Sequence, residues 1–402
     1  MTARVLVRGG CVLTLGARSP NLPKADVLIE DGRVAEVGPG LRARDAETVD
    51  AADAIVMPGF VDTHRHAWTS LFRNVGGEPE RAEAPPAVRE RLGSDDAYAA
   101  TLIGLLGAIE AGITTVVDWC DLPLDGAAEA ALQAHADAGL RTVFVHAADP
   151  TDRDGRRPVG EALASLEAAA GPTTTIAIGW AVRGAAEGMG PEWAAARELG
   201  RRIHAHAPRE GEPGLLAAMA ERGLLGPDVT LIHWTELGGR DLASVASSGA
   251  SVSLAPSSEM TGGRGSPPVQ ELMDRDIRPG LGVDDERLAP GDLFAQMRAT
   301  ISLQHATVFD RKLAGKGALP RLMTTRDVIR SATSAGARAV GLAGVTGSLE
   351  PGKQADLIVL RTDRPNIYPI NDPIGAVVWG MDTSNVAWVF AAGRALMRDG
   401  VL

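Results

Sequence analysis

Eight short apolar runs punctuate the middle of this 402-residue chain, most of them separated by alanine- and leucine-rich stretches of helical spacing. They are Phe60–His66, Ile113–Trp119, Arg141–His146, Ile176–Val182, Arg202–His206, Val229–Trp234, Ala250–Ala255 and Arg278–Val283. Runs of this length flanked by helical segments read as the strands of βα units. Eight such units over about 280 residues predict a closed (β/α)8 TIM barrel in the α/β class. One intervening stretch, Ser94 to Ala111, has Asp95 and Asp96 in its first turn and Gly112 just past its end, which is helix-capping chemistry at both ends. The competing arrangement, an open doubly wound sheet, calls for a glycine-rich phosphate loop after its first strand, and none stands there.

The two ends of the chain follow another pattern. Val5–Val7 and Cys11–Leu13 are apolar runs separated by Gly9-Gly10, and Val27–Ile29 and Val34–Val37 are joined across Asp31-Gly32. An Asp-Gly pair between apolar runs is a hairpin signal, because both turn residues tolerate positive φ. Near the other end, Asp356–Leu360 is an apolar strand, and Val386–Phe390 and Arg394–Met397 flank Ala392-Gly393. Neither end is large enough to fold alone. Residues 1–58 and 345–402 are therefore expected to pair into one small β-sandwich beside a barrel formed by 59–344. Asn74–Gly93, rich in Pro, Glu and Arg, interrupts the first βα unit; it reads either as a lid over the barrel or as a plain surface loop.

The hydrophobic fraction of 45% supports a large core. A formal charge of −11 leaves no basic footprint for nucleic acid. No run of about 18 apolar residues is present to span a membrane, and the first residues lack the apolar stretch of a signal peptide. Cys11 and Cys120 form no CxxC pair. The expectation is a cytoplasmic enzyme acting on a small molecule, with no nucleic-acid or membrane partner.

Active sites of such barrels lie at the carboxyl ends of the strands. The first strand ends in His64-Arg65-His66, the fifth in His204-Ala205-His206, the sixth in His233-Trp234 and the eighth in Asp284-Asp285. Side chains alternate along a strand, so His64 and His66 share a face and Arg65 takes the other. The chain has eight histidines, and five stand at three of these strand ends, a concentration that coincidence does not supply. Four imidazoles and one carboxylate from these four strand ends are expected to converge as a metal site. Nitrogen-rich ligation of this kind suits Zn²⁺ first and Fe²⁺ second.

Pro58-Gly59-Phe60-Val61-Asp62-Thr63-His64-Arg65-His66 resembles the signature that opens the barrel in the amidohydrolase superfamily. Leu349-Glu350-Pro351-Gly352-Lys353-Gln354-Ala355-Asp356-Leu357 resembles the segment that re-enters the family's sandwich domain. The resemblance is strongest to the branch with cytosine and guanine deaminases and triazine hydrolases. It implies that His64, His66, His206 and Asp284 bind one metal, that His233 contacts the attacking water or the substrate, and that Asp284 is the general base. It also implies the homodimer that such relatives often form. Binuclear relatives bridge their metals with a lysine or glutamate on strand four; Ile176–Arg183 contains neither, so one divalent metal per chain is expected. The sequence departs from the branch at one position. Deaminases usually carry a proton-shuttling glutamate three residues after the strand-five histidine, where Arg209 stands here, with Glu210 one residue later. Glu210 is the candidate replacement, and Arg209 a candidate for holding an anionic group on the substrate.

Trp68, Trp119, Trp180 and Trp234 stand at or just after strand ends, and they are read as walls of an aromatic pocket for a flat heterocycle. Arg183 and Glu259 are further substrate-binding candidates; Asp118, Asp121 and His146 lie nearby. Asp285 and Glu286 are expected to orient loop backbone or face solvent. The function read from all this is a metal-dependent hydrolase of a C–N bond, a deaminase or a cyclic amidohydrolase. The alternatives are a different reaction in the same barrel (dehalogenation, decarboxylation or ring rearrangement) and a non-catalytic binding barrel.

Overall fold

The computed structural model describes residues 4–17, 19–75, 88, 91–122, 124–148, 159–182, 190–208 and 212–402. Five strands come first: β1 (Arg4–Val12), β2 (Leu22–Glu30), β3 (Arg33–Gly38), β4 (Glu47–Asp50) and β5 (Ala54–Pro58). Eight parallel strands follow: β6 (Phe60–Arg65), β7 (Ile113–Cys120), β8 (Arg141–Ala148), β9 (Thr174–Ala181), β10 (Ile203–His206), β11 (Val229–Ile232), β12 (Ser251–Leu254) and β13 (Gly280–Leu281). Three more are β14 (Leu357–Arg361), β15 (Val386–Ala391) and β16 (Arg394–Met397).

Strands β6 to β13 pair side by side in chain order, and each expected apolar run contributes one of them. Closure of the ring is local to the site. Asp284 N donates to His64 O at 2.8 Å and Asp284 O accepts from His66 N at 2.9 Å, joining the chain after β13 to the end of β6. Gly282 permits that approach, since a Cβ there would lie 2.7 Å from His64 O.

Alternation sorts the strand residues. Val117, Trp119, Val143, Val145, Ala177 and Ile232, from β7, β8, β9 and β11, pack together with Val61 in one cluster. Contact between strands that are not neighbours in the ring requires these side chains to fill its interior. Their sequence neighbours Val116, Phe144, Ile176, Ile178 and Leu231 belong to the larger core beneath the helices.

The two chain ends do form one unit, as the sequence implies. It is a mixed sheet in the order β16-β15-β14-β5-β1-β2-β3, with β4 also paired to β1. Gly9-Gly10 does not divide two strands as expected: β1 runs through it, with a register shift between Val7 and Gly10 that absorbs the irregularity as a bulge. The Asp31-Gly32 hairpin is present, with φ of 51° and 76°. Val5, Val27, Val56, Leu357 and Val359 form the sheet's own core, while Ile55, Met57, Ile358 and Leu360 face the main core. Arg141, at the start of β8, donates to the Asp356 carboxylate at 2.7 and 3.2 Å, a buried tie between barrel and sheet. Among the described residues no helix is long and apolar enough to cross a membrane.

Candidate metal centre

Four barrel strands deliver the expected side chains to one place. His64 and His66 come from the end of β6, His206 from β10, His233 from just past β11, and Asp284 from beyond β13. The ligating atoms of His64, His66 and His206 lie within 4.8 Å of one another, as do those of His64, His233 and Asp284. Asp284 Oδ1 faces three Nε2 atoms, His233 at 3.3 Å, His64 at 3.4 Å and His66 at 3.6 Å. These separations exceed a good hydrogen bond. They match the edges of a tetrahedron around an ion with bonds of about 2.0–2.1 Å.

The backbone is strained where the ligands must turn in. His233 has φ 60° and Asp284 φ 65°, a region that non-glycine residues occupy at a cost of order 1 kcal/mol or more. At His233 the turn breaks the alternation of β11. Ile232 faces the interior, yet His233 reaches the site and Trp234 swings outward.

Each imidazole except His64 is aimed from behind. His233 Nδ1 donates to Glu259 Oε1 at 2.9 Å, His66 Nδ1 to Asp121 Oδ1 at 3.2 Å, and His206 Nδ1 to Ala207 O at 3.0 Å. Holding Nδ1–H in this way turns Nε2 inward, the arrangement that metal-binding histidines show. Trp68 Nε1 donates to Asp121 Oδ1 at 2.8 Å and Ser258 Oγ donates to Asp284 Oδ2, so both carboxylates are themselves fixed. His64 Nδ1 and Nε2 and His233 Nε2 are buried without a hydrogen-bond partner. Buried polar atoms without partners are costly and rare. Four imidazoles, one carboxylate and three orphaned nitrogens fit a divalent metal ion.

The electrostatics agree. Burial penalises the Asp284 carboxylate, but His233 and then His64 outweigh it and hold its pKa well below the ordinary range. Burial drives the His64 pKa down to about 3, helped by His233 and His66. For His66, burial is outweighed by Asp121, with Asp284 and Asp285 adding to it, and the pKa rises to about 9. His206 falls well below its usual value through burial, His233 and Arg264.

The remaining expected residues divide sharply. Trp119 points inward, its ring 5.8 Å from that of His64 and 5.4 Å from that of His206, so it floors the site. Gly179 makes room for it, since a Cβ there would lie 2.9 Å from the indole. Trp68 is half-buried beside the site and packs edge-on against Phe72 at 6.1 Å. Trp180 and Trp234, expected in the pocket wall, stand instead in the core beneath the helices. Trp180 follows inward Gly179 and so faces out, and Trp234 Nε1 donates to Ala205 O at 3.1 Å. Glu259 meets its partner behind His233 rather than in the substrate space. Arg183, Arg209 and Glu210 lie outside the described residues, as does most of the segment 74–93. Asp118 is turned away, accepting from Ala67 N at 2.9 Å and pairing with His135 at 2.8 Å. The Cys120 thiol is pushed well above its usual pKa by burial and then by Asp118 and Asp121, which leaves it inert as a nucleophile.

Ser258 was not legible as a functional residue; its adjacency to Glu259 after β12 is the only signal. The same holds for the network behind β6. Arg65 is fully buried and donates to Asp62 Oδ2 at 2.7 Å, to Glu286 Oε1 and to Gly291 O at 2.8 Å. Arg73 and Ser70 also bind Glu286. Glu286 therefore neither faces solvent nor orients loop backbone; Asp285 does the latter, accepting from Arg287 N at 2.9 Å.

Comparison with known proteins agrees with this geometry. The Amidohydrolase family model matches residues 55–396. The chain is 28% identical to a 5'-deoxyadenosine deaminase of Methanosarcina mazei, covering 99% of this chain and 93% of that protein. It is 30% identical to a 5'-deoxyadenosine deaminase of Methanothermobacter thermautotrophicus, covering 99% and 94%. A 5-methylthioadenosine/S-adenosylhomocysteine deaminase of Syntrophobacter fumaroxidans is 29% identical over 99% of this chain and 93% of its own. Among solved structures, atrazine chlorohydrolase TrzN from Arthrobacter aurescens, complexed with zinc, superposes with a TM-score of 0.82 at 20% identity, covering 99% and 96%. An adenosine deaminase from Xanthomonas campestris with bound zinc gives 0.78 at 20% identity, covering 100% and 94%. The chain belongs to the amidohydrolase family, and it is a metal-dependent hydrolase of non-peptide C–N bonds.

Proposed function

We propose that this enzyme removes the ring amino group of an adenine nucleoside as ammonia, using one zinc ion per chain held by His64, His66, His206 and Asp284, with His233 beside it. The carrying observation is the convergence of three Nε2 atoms on Asp284 Oδ1 in a chain whose deaminase relatives align over nearly its full length. Nitrogen-rich ligation favours zinc over iron as the resident ion, and a β9 without lysine or glutamate favours a single ion. When bound, a divalent ion lowers the pKa of a water from 15.7 toward roughly 7.

The chain's own residues do the rest. Asp284, kept ionised and fixed by Ser258, accepts a proton from the attacking water. The water oxygen forms a bond to the ring carbon that carries the amine. His233, whose Nδ1–H is anchored on Glu259 and whose protonated form is favoured against the penalty of burial by Asp284 and Glu259, presents Nε2–H to the charge that develops there. The C–N bond then breaks, and Asp284 returns the proton to the departing nitrogen, with Glu210 as the candidate helper. Trp119 offers an apolar floor for a flat ring.

The test is ammonia release from 5'-deoxyadenosine, 5'-methylthioadenosine and S-adenosylhomocysteine by the zinc-loaded protein. Release from at least one, with the inosine-type product, supports the reading. Arg209, where the branch usually carries glutamate, keeps a second reaction in view, displacement of another leaving group. Chloride or amine release from a triazine, with no ammonia from any nucleoside, would select that second reading.

A further inference from the structure

The end of the barrel opposite the metal ligands carries a second pocket. It has a volume of about 370 Å³ and lies between the amino end of the barrel and the sheet of chain ends. Arg278 precedes β13, Arg330 sits on the helix Thr325–Ser331 and Arg338 on the helix Ser334–Ala339; the far wall is Gly16, Ser348, Glu350 and Lys353.

The charges in this pocket do not balance. Glu350 is the carboxylate in the lining, and it is already engaged: Oε2 accepts from Ser348 Oγ at 2.6 Å, and Lys353 Nζ lies 3.4 Å away. Lys353 is equally committed, donating to Ala343 O and Ser348 Oγ, each at 2.7 Å. Asp327, on the same helix as Arg330, is held by Arg321 Nη1 at 2.8 Å and by Thr324 N at 3.0 Å. Among the described residues, no carboxylate stands within 4.0 Å of the guanidinium groups of Arg278, Arg330 or Arg338. Partial burial, and then the like charges of Arg278 and Arg326, hold the Arg330 pKa below its usual value. Three cations around one concavity, of which Arg330 alone feels a carboxylate, that of Asp327, beyond ion-pair distance, run against the trend of a chain whose net charge is −11.

We propose that this pocket binds a phosphate-type oxyanion, the phosphoryl group of a small metabolite, through the forked donors of Arg278, Arg330 and Arg338. Guanidinium forks match the paired oxygens of such groups, and an anion here relieves the mutual repulsion of the arginines. The site is independent of the catalytic reading, since its residues lie at the other end of the barrel from His64, His66 and Asp284.

The experiment is a titration of the zinc-loaded, full-length protein with inorganic phosphate at constant ionic strength, followed by ³¹P line broadening. Saturable binding at one site per chain is expected, weakened roughly tenfold or more by the double substitution Arg278→Ser and Arg330→Ser. Turnover of the ring substrate is expected to be unchanged in that variant. Should the double variant fail to fold, Arg278→Ser and Arg338→Ser serve in its place, because both side chains are exposed. Phosphate binding no stronger than that of chloride, binding retained without the arginines, or tighter binding of malonate than of phosphate would each overturn the proposal.

Discussion

Two buried polar clusters share the carboxyl end of β6, and they are built on opposite plans. Behind the strand, Arg65 is fully buried and each of its three guanidinium nitrogens meets Asp62, Glu286 or Gly291 O. In front of it, His64 is equally buried and neither ring nitrogen has a partner. Adjacent residues with the same burial thus differ in satisfaction. Folding tolerates a buried charge that is fully paired. An unpaired buried imidazole has no such compensation within the chain, and together with the left-handed backbone at His233 and Asp284 it marks where the protein is built for something other than its own stability. The paired cluster also serves the other one, because Asp62 accepts from Val283 N at 3.0 Å, beside Asp284.

Exchanging a residue on either side is the direct way to break this contrast. The largest effect belongs to the unpaired side: Asp284→Asn should lower turnover by on the order of 10⁴ while leaving the fold intact, as read by circular dichroism. Near-normal turnover would remove Asp284 as the base. On the paired side, Arg65→Met leaves Asp62 buried without a cation and Glu286 with Arg73 alone, so a loss of about 3–5 kcal/mol in urea unfolding is expected. A loss below about 1 kcal/mol would mean that the network is not what holds β6 in place.

Glu259→Gln probes the support behind His233. The amide keeps the shape but not the charge there, and turnover should fall about 10–100-fold with stability and metal content little changed. An unchanged turnover would make Glu259 a packing residue. The smallest effect is protonic. In the metal-free protein His66 has a pKa of about 9, so below that pH its ring is protonated and must lose a proton to bind an ion. Zinc uptake at pH 7 should therefore release protons, and affinity should weaken as pH falls. Calorimetry in buffers of different ionisation enthalpy reads the release directly, and none at pH 7 would contradict the His66 assignment.

Much of this was legible in the sequence because it rests on local patterns. Short apolar runs located all eight barrel strands, and the Asp31-Gly32 pair located its hairpin. His64, His66, His206, His233 and Asp284 could be grouped because strand ends of a barrel converge. What stayed hidden depends on geometry that periodicity does not encode. A left-handed residue at His233 reverses the faces of His233 and Trp234, so a strict alternation misplaces the tryptophan. Trp180 was misplaced by proximity to a strand end alone, without the inward Gly179 that fixes its outward direction. Arg65 and Glu286 are 221 residues apart, and no local signal joins them. Ser258 reaches Asp284 across a loop for the same reason.

The measurement that reaches furthest is the metal content of the purified protein, taken together with ammonia release before and after chelation. The expected result is about one divalent ion per chain, turnover abolished when it is removed, and turnover restored by zinc. A chain that holds no ion, takes up none when zinc or iron is supplied, and deaminates at the same rate in the presence of chelator would contradict the metal centre at His64, His66, His206, His233 and Asp284.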